Sequence, residues 1–367
     1  MEFTFKSKSN TFFGKGCVKA HAADWIAGKH AFVVTGRHSG RDSGALDDVG
    51  DVLRMQGIPF ETYEGIENNP TVEQCREVGM LVRAAGADFV VGIGGGSPLD
   101  AAKAVAVFAM EDISTEDLYK NAYRAALPIV AIPTTSGTGS EVTPWSILTR
   151  KDIETKRSFG SLSKTLPVAA LLDPEYTRSL PQRITLHTAM DACTHCMESI
   201  VTKKATPITD ALNMEALRRF GPCMQALEHG ELEDIREELM VVSMLGGMTI
   251  THTGTTLMHG MGYPLTYYIG LSHGEANCAV LPGYLRFIQR VLPDRLALAL
   301  GALGMDAEEL TAYVQRNFPL SLHLNDAQFH CFTEKTMEQN STRNINYPVR
   351  FEDVEDIYRD ALKAYMQ

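Results

Sequence analysis

The sequence lacks any uninterrupted apolar run long enough to span a membrane, and it has no excess of basic residues. Lysine and arginine number 34 against 45 aspartates and glutamates, which gives a formal net charge of −11, and the basic residues are scattered. A membrane span needs about 20 consecutive apolar residues, and nucleic acids and anionic membranes attract clustered positive charge. We therefore expect neither a nucleic acid nor a membrane as a partner.

A secretion signal and a disulfide framework are also missing from the sequence. The N-terminal stretch MEFTFKSKSNTFFGKG has no apolar h-region and no cleavage site, which favours a cytoplasmic location. The seven cysteines are an odd number, and CTHC at 193–196 has the spacing of redox motifs. Because no βαβ pattern surrounds this motif, we interpret Cys193 and Cys196 as small buried residues on a helix.

The first half of the chain alternates strand patterns with helix patterns. Apolar runs rich in β-branched residues predict strands at 30–36, 87–97, 127–133 and 167–173, the second of which runs into a glycine loop. Apolar residues at helical spacing predict helices at 71–86 and 98–110. This alternation is typical of a mostly parallel sheet that is covered by helices on both faces.

After about residue 175 the pattern changes to consecutive helices. They are predicted at 183–203, 208–228, 231–257, 275–290 and 351–366. A chain of 367 residues is also long for a single hydrophobic core. We therefore predict two domains, an α/β domain over residues 1–178 and an all-helical domain over residues 179–367.

Two loops rich in glycine and hydroxyl side chains follow predicted strands. GIGGGS at 92–97 precedes a predicted helix, whose N-terminus would offer N–H groups and a positive dipole end to an anion. It matches neither the GxGxxG fingerprint nor a P-loop, and alone it is equally typical of a tight turn. The second loop, PTTSGTGSEVT at 133–143, changes this balance. Two such loops at strand ends of one open sheet favour a bound dinucleotide.

Two histidine–glycine pairs bracket an apolar stretch at 258–278, MHGMGYPLTYYIGLSHGEANC. His259 and His273 lie fourteen positions apart, and no charged residue lies between them. Asp191 and His195 are spaced i, i+4, which places both side chains on one face of a helix. One carboxylate and three imidazoles suit Fe²⁺, Zn²⁺, Co²⁺ or Mn²⁺.

A metal ion with an open coordination position polarises an alcohol or carbonyl oxygen. The four residues therefore form a candidate catalytic metal site. By spacing alone, His187 and His252 are alternative ligands.

The motifs together resemble the iron-dependent, metal-containing alcohol dehydrogenase family. The resemblance is carried by GGGSPLDAAKA, PTTSGTGSEVT, the Asp-x-x-x-His of DACTHC and the two His-Gly sites, and it extends to about residue 290. It implies an N-terminal Rossmann-like dinucleotide-binding domain and a C-terminal helical metal-binding domain, the dehydroquinate synthase-like architecture. It also implies hydride transfer between NAD(P) and an alcohol, with Fe²⁺ or Zn²⁺ on Asp191, His195, His259 and His273. The apolar stretch between the two histidines would form part of the substrate pocket.

The resemblance also implies a set of cofactor-binding residues. Gly95, Gly96, Ser97 and Asp100 match the family's pyrophosphate loop and the helix that follows it. Thr134, Thr135 and Thr138 match its second nucleotide loop, and Asn69 matches an asparagine near the cofactor. A family lysine near the nicotinamide ribose falls at Lys156 or Arg157, because counting from the two flanking motifs gives different positions.

The end of the first predicted strand bears on the choice between NAD(H) and NADP(H). NAD-selective family members often carry an aspartate there, which binds the ribose 2′-hydroxyl and repels a 2′-phosphate. In VVTGRHSGR this position is Gly36, and Arg37, Ser39 and Arg41 follow as candidate phosphate ligands. We predict a preference for NADP(H).

Two positions depart from the family pattern. Tyr263 stands where many members have a histidine that assists proton transfer, and tyrosine is a poor acid–base group near neutral pH. We interpret Tyr263 as a wall of the pocket. Met190 replaces a glycine that usually precedes the ligand aspartate, which affects packing and leaves the ligands in place.

The predicted substrate is a small aldehyde or primary alcohol, and we expect a homodimer. Polyol oxidation of the glycerol dehydrogenase type is an alternative. A dehydroquinate synthase-like lyase is disfavoured because 258–278 contains no lysine or arginine to bind a phosphorylated, carboxylated substrate. A non-catalytic nucleotide-binding scaffold is disfavoured by the intact set of four ligands.

Overall fold

Six parallel strands form the central sheet of the N-terminal half. The structure is a computed structural model, and it describes residues 3–6 and 8–366. The strands are β1 (Asn10–Phe13), β2 (Ala31–Gly36), β3 (Phe60–Ile66), β4 (Phe89–Gly94), β5 (Ile129–Pro133) and, after a hairpin, β8 (Ala169–Leu172). Their order in the sheet is β1-β8-β5-β4-β2-β3. The antiparallel hairpin consists of β6 (Ser146–Arg150) and β7 (Thr155–Phe159).

Burial on both faces explains the composition of the central strands. Every residue of β2 (AFVVTG) and β4 (FVVGIG) is buried, and the two strands pair in parallel with Val33 opposite Val91. Parallel strands covered on both sides are continuous apolar runs. The prediction of a parallel sheet flanked by helices is confirmed.

In the described part of the N-terminal half, seven helices accompany this sheet. They are α1 (Cys17–Ala20), α2 (Ala22–Trp25), α3 (Ser39–Asp42), α4 (Ala45–Met55), α5 (Val72–Ala85), α6 (Gly96–Met110) and α7 (Thr115–Tyr119). Thr71 caps the start of α5, and Gly86 ends it in the left-handed conformation, which confirms the helix predicted at 71–86. By contrast, α6 begins two residues before the predicted start at Pro98, so that Gly96 belongs to its first turn.

The remainder of the chain is helical. Its helices are α8 (Gln182–Val201), α9 (Pro207–His229), α10 (Arg236–Thr253), α11 (Leu257–Pro264), α12 (His273–Val291), α13 (Pro293–Leu303), α14 (Ala307–Asn317), α15 (Asp326–Met337) and α16 (Phe351–Leu362). A short π-helical turn, Leu265–Ile269, follows α11. The chain divides into two compact units, Lys6–Pro181 and the part from Gln182 onward, which also includes residues 3–5.

The prediction of one continuous helix over 231–257 was wrong. The structure has a 3₁₀ turn at Glu233–Ile235, then α10, and then a break before α11. The break lies at Gly254, whose φ of 66° is left-handed and cannot continue a right-handed helix. Apolar periodicity on either side of this glycine concealed the break.

All seven cysteines lie among the described residues as free thiols; six are buried and Cys331 is half-buried. Cys193 and Cys196 are fully buried in the helical core, as predicted, and burial raises the pKa of the Cys196 thiol to about 12. Such thiols behave as small apolar residues. Within the part of the chain that the structure describes, no helix is long and apolar enough to cross a membrane.

Candidate functional site

Helix α8 carries two of the four predicted metal ligands on one buried face. Asp191 and His195 are 2% and 4% exposed. Their i, i+4 spacing brings the carboxylate and the imidazole to the same side of the helix. Glu198 continues this face one turn further along and is completely buried.

The other two predicted ligands lie at the starts of helices. His259 is in the first turn of α11, and His273 is the first residue of α12. The three imidazole Nε2 atoms converge on the Asp191 carboxylate. They lie 4.0 Å (His195), 3.5 Å (His259) and 3.8 Å (His273) from its nearer oxygen.

These separations fit a shared metal ion. Two metal–ligand bonds of about 2.1 Å at a tetrahedral angle place their ligand atoms roughly 3.4 Å apart. The ligand atoms of Asp191, His195 and His259 all lie within 4.8 Å of one another. An N₃O donor set without a thiolate also suits the chemistry of Fe²⁺ or Zn²⁺.

The alternative histidines are engaged elsewhere. The Nδ1 atom of His187 is 2.8 Å from the Ser272 hydroxyl, and its ring stacks on Phe318. The ring of His252 stacks on Phe5. The structure therefore assembles the cluster that the sequence favoured over either alternative.

The electrostatics of the cluster favour a cation. Burial alone would raise the pKa of the Asp191 carboxyl, but the surrounding imidazoles hold it well below its ordinary value. Burial likewise opposes charge on His259, yet Glu198 and Asp191 raise its pKa to about 9. Two buried carboxylates thus create a negative potential that a divalent cation would neutralise.

Two residues that contact this cluster were not singled out from the sequence. The carboxylate of Glu198 hydrogen-bonds Nδ1 of His259. The side-chain amide of Asn277 donates to Asp191 Oδ1 over 2.9 Å and lies 3.3 Å from His259 Nε2. Helical spacing was the available signal, because Glu198 is i+7 from Asp191 and Asn277 is i+4 from His273.

Tyr263 lies beside the cluster, whereas the rest of the apolar stretch has several environments. The ring of Tyr263 stacks on His273 with centroids 5.6 Å apart and an interplanar angle of 21°. Leu265 is fully buried in the helical core, and Tyr268 stacks on Phe332. That this stretch forms part of a substrate pocket stays a prediction, and Leu265 contributes to the helical core.

In the N-terminal unit, the two predicted nucleotide loops lie against each other. A Cβ atom on Gly95 would be 3.1 Å from Thr135 Cγ2, and one on Gly96 would be 2.8 Å from Thr138 Cγ2. Glycine thus permits the first loop to approach the second. The hydroxyl of Thr134 is buried without a hydrogen-bond partner among the described residues, so that it is available to a ligand.

Asn69, Ser97 and Lys156 also come together. The backbone N–H of Asn69 donates to Ser97 Oγ over 3.1 Å, and Lys156 Nζ donates to Asn69 Oδ1 over 3.0 Å. Asn69 itself has a left-handed φ of 55°. Arg157 is the next residue of β7, and its side chain points to the opposite face of the hairpin. The structure therefore groups Lys156, and not Arg157, with the predicted cofactor residues.

The side chain of Asp100 is engaged within the protein. It accepts hydrogen bonds from the Ser140 hydroxyl over 2.5 Å and from the Ile147 N–H over 2.9 Å. The fully buried Lys103 lies 3.5 Å from its carboxylate and donates to Ser140 over 2.6 Å. These contacts tie α6 to the second loop, so that Asp100 supports the loops from within.

The residues predicted to set the cofactor preference lie at the C-terminal end of β2. Gly36 is the last residue of that strand, and a Cβ atom there would be 3.1 Å from Ser39 Oγ. Arg37 is exposed and lies 3.3 Å from Glu67, whereas Arg41 forms a two-point ion pair with Glu64. Of the two arginines, Arg37 has the weaker internal contact.

Known proteins are similar to this chain in both sequence and fold. The family model described as iron-containing alcohol dehydrogenase matches residues 8–174, and the model of the C-terminal part of the Fe-containing alcohol dehydrogenase family matches residues 185–362. The 1,3-propanediol dehydrogenase of Citrobacter freundii is 30% identical over 98% of both chains. The NADPH-dependent butanol dehydrogenase of Clostridium saccharobutylicum is 31% identical, over 84% of this chain and 80% of that protein.

The structural comparison agrees. The crystal structure of an iron-containing alcohol dehydrogenase from Thermotoga maritima matches with a TM-score of 0.92 and 35% identity, over 99% of this chain and all of that one. The family implies an oxidoreductase that uses iron and NAD(P) and acts on alcohols or aldehydes. By its sequence, its fold and the arrangement of its histidines, this chain belongs to the iron-containing alcohol dehydrogenase family.

Proposed function

We propose that this chain catalyses reversible hydride transfer between NADP(H) and a small aldehyde or primary alcohol, at Fe²⁺ or Zn²⁺ held by Asp191, His195, His259 and His273. The observation that carries the proposal is the convergence of three imidazole Nε2 atoms on one buried carboxylate, over 3.5–4.0 Å. When bound, such an ion polarises the substrate oxygen and stabilises the negative charge that develops on it.

The two predicted domains have separate roles in this proposal. Residues 1–178 bind the dinucleotide, and residues 179–367 hold the metal ion and the substrate. Gly95, Gly96 and Ser97 at the start of α6 present backbone N–H groups to the pyrophosphate. Thr134, Thr135 and Thr138 approach from the second loop, while Asn69 and Lys156 act as a hydrogen-bonded pair near the ribose.

The cofactor preference follows from Gly36 and Arg37. Glycine at the end of β2 leaves room for a 2′-phosphate and introduces no opposing charge. Arg37 is exposed, and Glu67, with which it forms an ion pair, is exposed too. Exposed pairs are weak, so that the guanidinium is free to bind phosphate with its planar set of donors.

A homodimer is part of the proposal. β1 forms one edge of the parallel sheet, and Phe13 at its end is 41% exposed. An edge strand offers unpaired backbone groups to a second chain. Sedimentation equilibrium is expected to give twice the chain mass of 40.3 kDa, and a monomer at micromolar concentration would contradict the dimer.

Anaerobic reconstitution tests the catalytic proposal directly. Metal-free protein is loaded with Fe²⁺, and aldehydes are screened for oxidation of NADPH, which is followed as a loss of its absorbance. We expect His259→Ala and His273→Ala to lose metal and turnover while keeping NADPH binding. His252→Ala is the matched control, because this histidine is not one of the four proposed ligands and its ring stacks on Phe5. Full activity in protein that elemental analysis shows to be metal-free would overturn the proposal.

A further inference from the structure

A buried carboxylate outside the proposed ligand set holds the segment that carries His259. Glu198 is completely buried on α8. Its Oε1 atom accepts hydrogen bonds from the Thr256 hydroxyl over 2.6 Å and from the Met258 N–H over 2.7 Å. Its Oε2 atom hydrogen-bonds Nδ1 of His259. Both oxygens thus contact one segment that is distant in sequence: Thr256 is 58 positions and His259 is 61 positions from Glu198.

The bonds to Oε1 cap helix α11. That helix begins at Leu257, and the side chain of its N-cap residue, Thr256, makes no capping hydrogen bond. The first N–H groups of a helix have no partner within the helix, and its N-terminus favours negative charge. Glu198 supplies both the acceptor and the charge from a neighbouring helix, and so fixes where α11 begins.

The bond to Oε2 fixes the ring of His259. When Nδ1 donates its proton to a carboxylate, the lone pair of the neutral ring is on Nε2. In this orientation Nε2 is 3.5 Å from Asp191 Oδ1, on the side of the other ligands. We propose that Glu198 is a positioning residue, which sets the tautomer and orientation of His259 and thereby the metal affinity of the site. This inference rests on the proposed function.

Glu198→Gln separates capping from control of the tautomer. The glutamine oxygen can still accept from α11 and Thr256, but the amide NH₂ group then faces Nδ1 and cannot accept its proton. We expect metal affinity to fall about 10- to 100-fold, measured by titrating metal-free protein with Zn²⁺ against a chromophoric chelator. The absorption bands of the Co²⁺-loaded protein should also change, while NADPH affinity stays at the wild-type value.

Thr256→Val is the matched control. It removes one hydrogen bond to the same carboxylate and leaves the bond to His259, so that near wild-type Zn²⁺ affinity and Co²⁺ bands are expected.

Wild-type Zn²⁺ affinity in Glu198→Gln would overturn the inference, even if its thermal stability fell. Should Glu198→Gln fail to fold, Glu198→Asp takes its place. Its carboxylate is one methylene too short to keep both sets of contacts, and unchanged affinity would again overturn the inference. A wild-type protein that binds no metal would instead refute the proposed function.

Discussion

A Cβ atom at position 274 would lie 2.0 Å from the backbone carbonyl oxygen of His187. Gly274 directly follows His273 at the start of α12, and His187 lies on α8, four residues before Asp191. The glycine therefore allows the two helices, which carry predicted metal ligands, to touch at their backbones.

Gly274→Ala should separate these helices. Because the contact is with backbone, the added methyl group must displace α12, and we expect a loss of about 1–3 kcal/mol in the free energy of unfolding. Zn²⁺ affinity should fall as well, because His273 moves with the helix. Urea denaturation and metal titration measure the two effects. The control is Gly301→Ala, which meets no atom within 4 Å and should stabilise its helix by up to about 1 kcal/mol. Equal behaviour of the two variants would contradict the prediction.

Gly36→Asp should reverse the cofactor preference. Its Cβ atom would lie 3.1 Å from Ser39 Oγ, a tight contact that a small shift of the Ser39 side chain relieves, and its carboxylate would repel a 2′-phosphate. We expect the ratio of kcat/KM for NADPH to that for NADH to fall by at least about tenfold, which corresponds to 1.4 kcal/mol. Arg37→Ala should lower the same ratio. Arg41→Ala serves as control, since that guanidinium is paired with Glu64. An unchanged ratio in Gly36→Asp would refute the assignment.

Tyr263 offers a test of proton transfer. Its ring stacks on His273, and we interpret it as a wall of the pocket. Tyr263→Phe should therefore retain most of the wild-type turnover. Tyr263→His introduces a group with an ordinary pKa near 6.5, so that its pH profile should gain an inflection between about pH 6 and 7. Loss of turnover in Tyr263→Phe, with recovery in Tyr263→His, would instead show that the hydroxyl transfers a proton.

Glu141, in the second predicted nucleotide loop, should make stability depend on pH. Burial raises the pKa of its carboxyl from 4.5 to about 7. Between these values the folded protein holds a proton that the unfolded chain releases, so that stability falls as pH rises and the full cost applies above pH 7. Glu141→Gln removes that cost.

We expect Glu141→Gln to match wild type near pH 4.5 and to exceed its free energy of unfolding at pH 8 by on the order of 3 kcal/mol. Urea denaturation at the two pH values provides the measurement. The exposed Glu77→Gln on α5 should show no such pH-dependent difference. A Glu141→Gln variant that is no more stable than wild type at pH 8 would contradict the assignment of a buried, costly charge.

Much of the fold could be predicted from local sequence patterns. The central strands β2 and β4 are buried on both faces and so appear as apolar runs, and α5 carries its own cap residues, Thr71 and Gly86. β3 was missed because it lies at the edge of the sheet, where FETYEGI is mostly half-exposed and carries little apolar signal. The break at Gly254 between α10 and α11 was missed because an isolated glycine is tolerated within a helix, and the sequence alone does not show that its φ is positive.

The candidate site was likewise predictable from the sequence only in part. The sequence by itself determined the candidate ligands and the two candidate nucleotide loops, because spacing within a helix and glycine after a strand are local properties. Tertiary structure alone decided that Lys156, rather than Arg157, reaches Asn69, and that Glu198 and Asn277 contact the ligands. These contacts join residues 87, 61 and 86 positions apart. Their formation depends on how the strands and helices pack, and no local pattern records that.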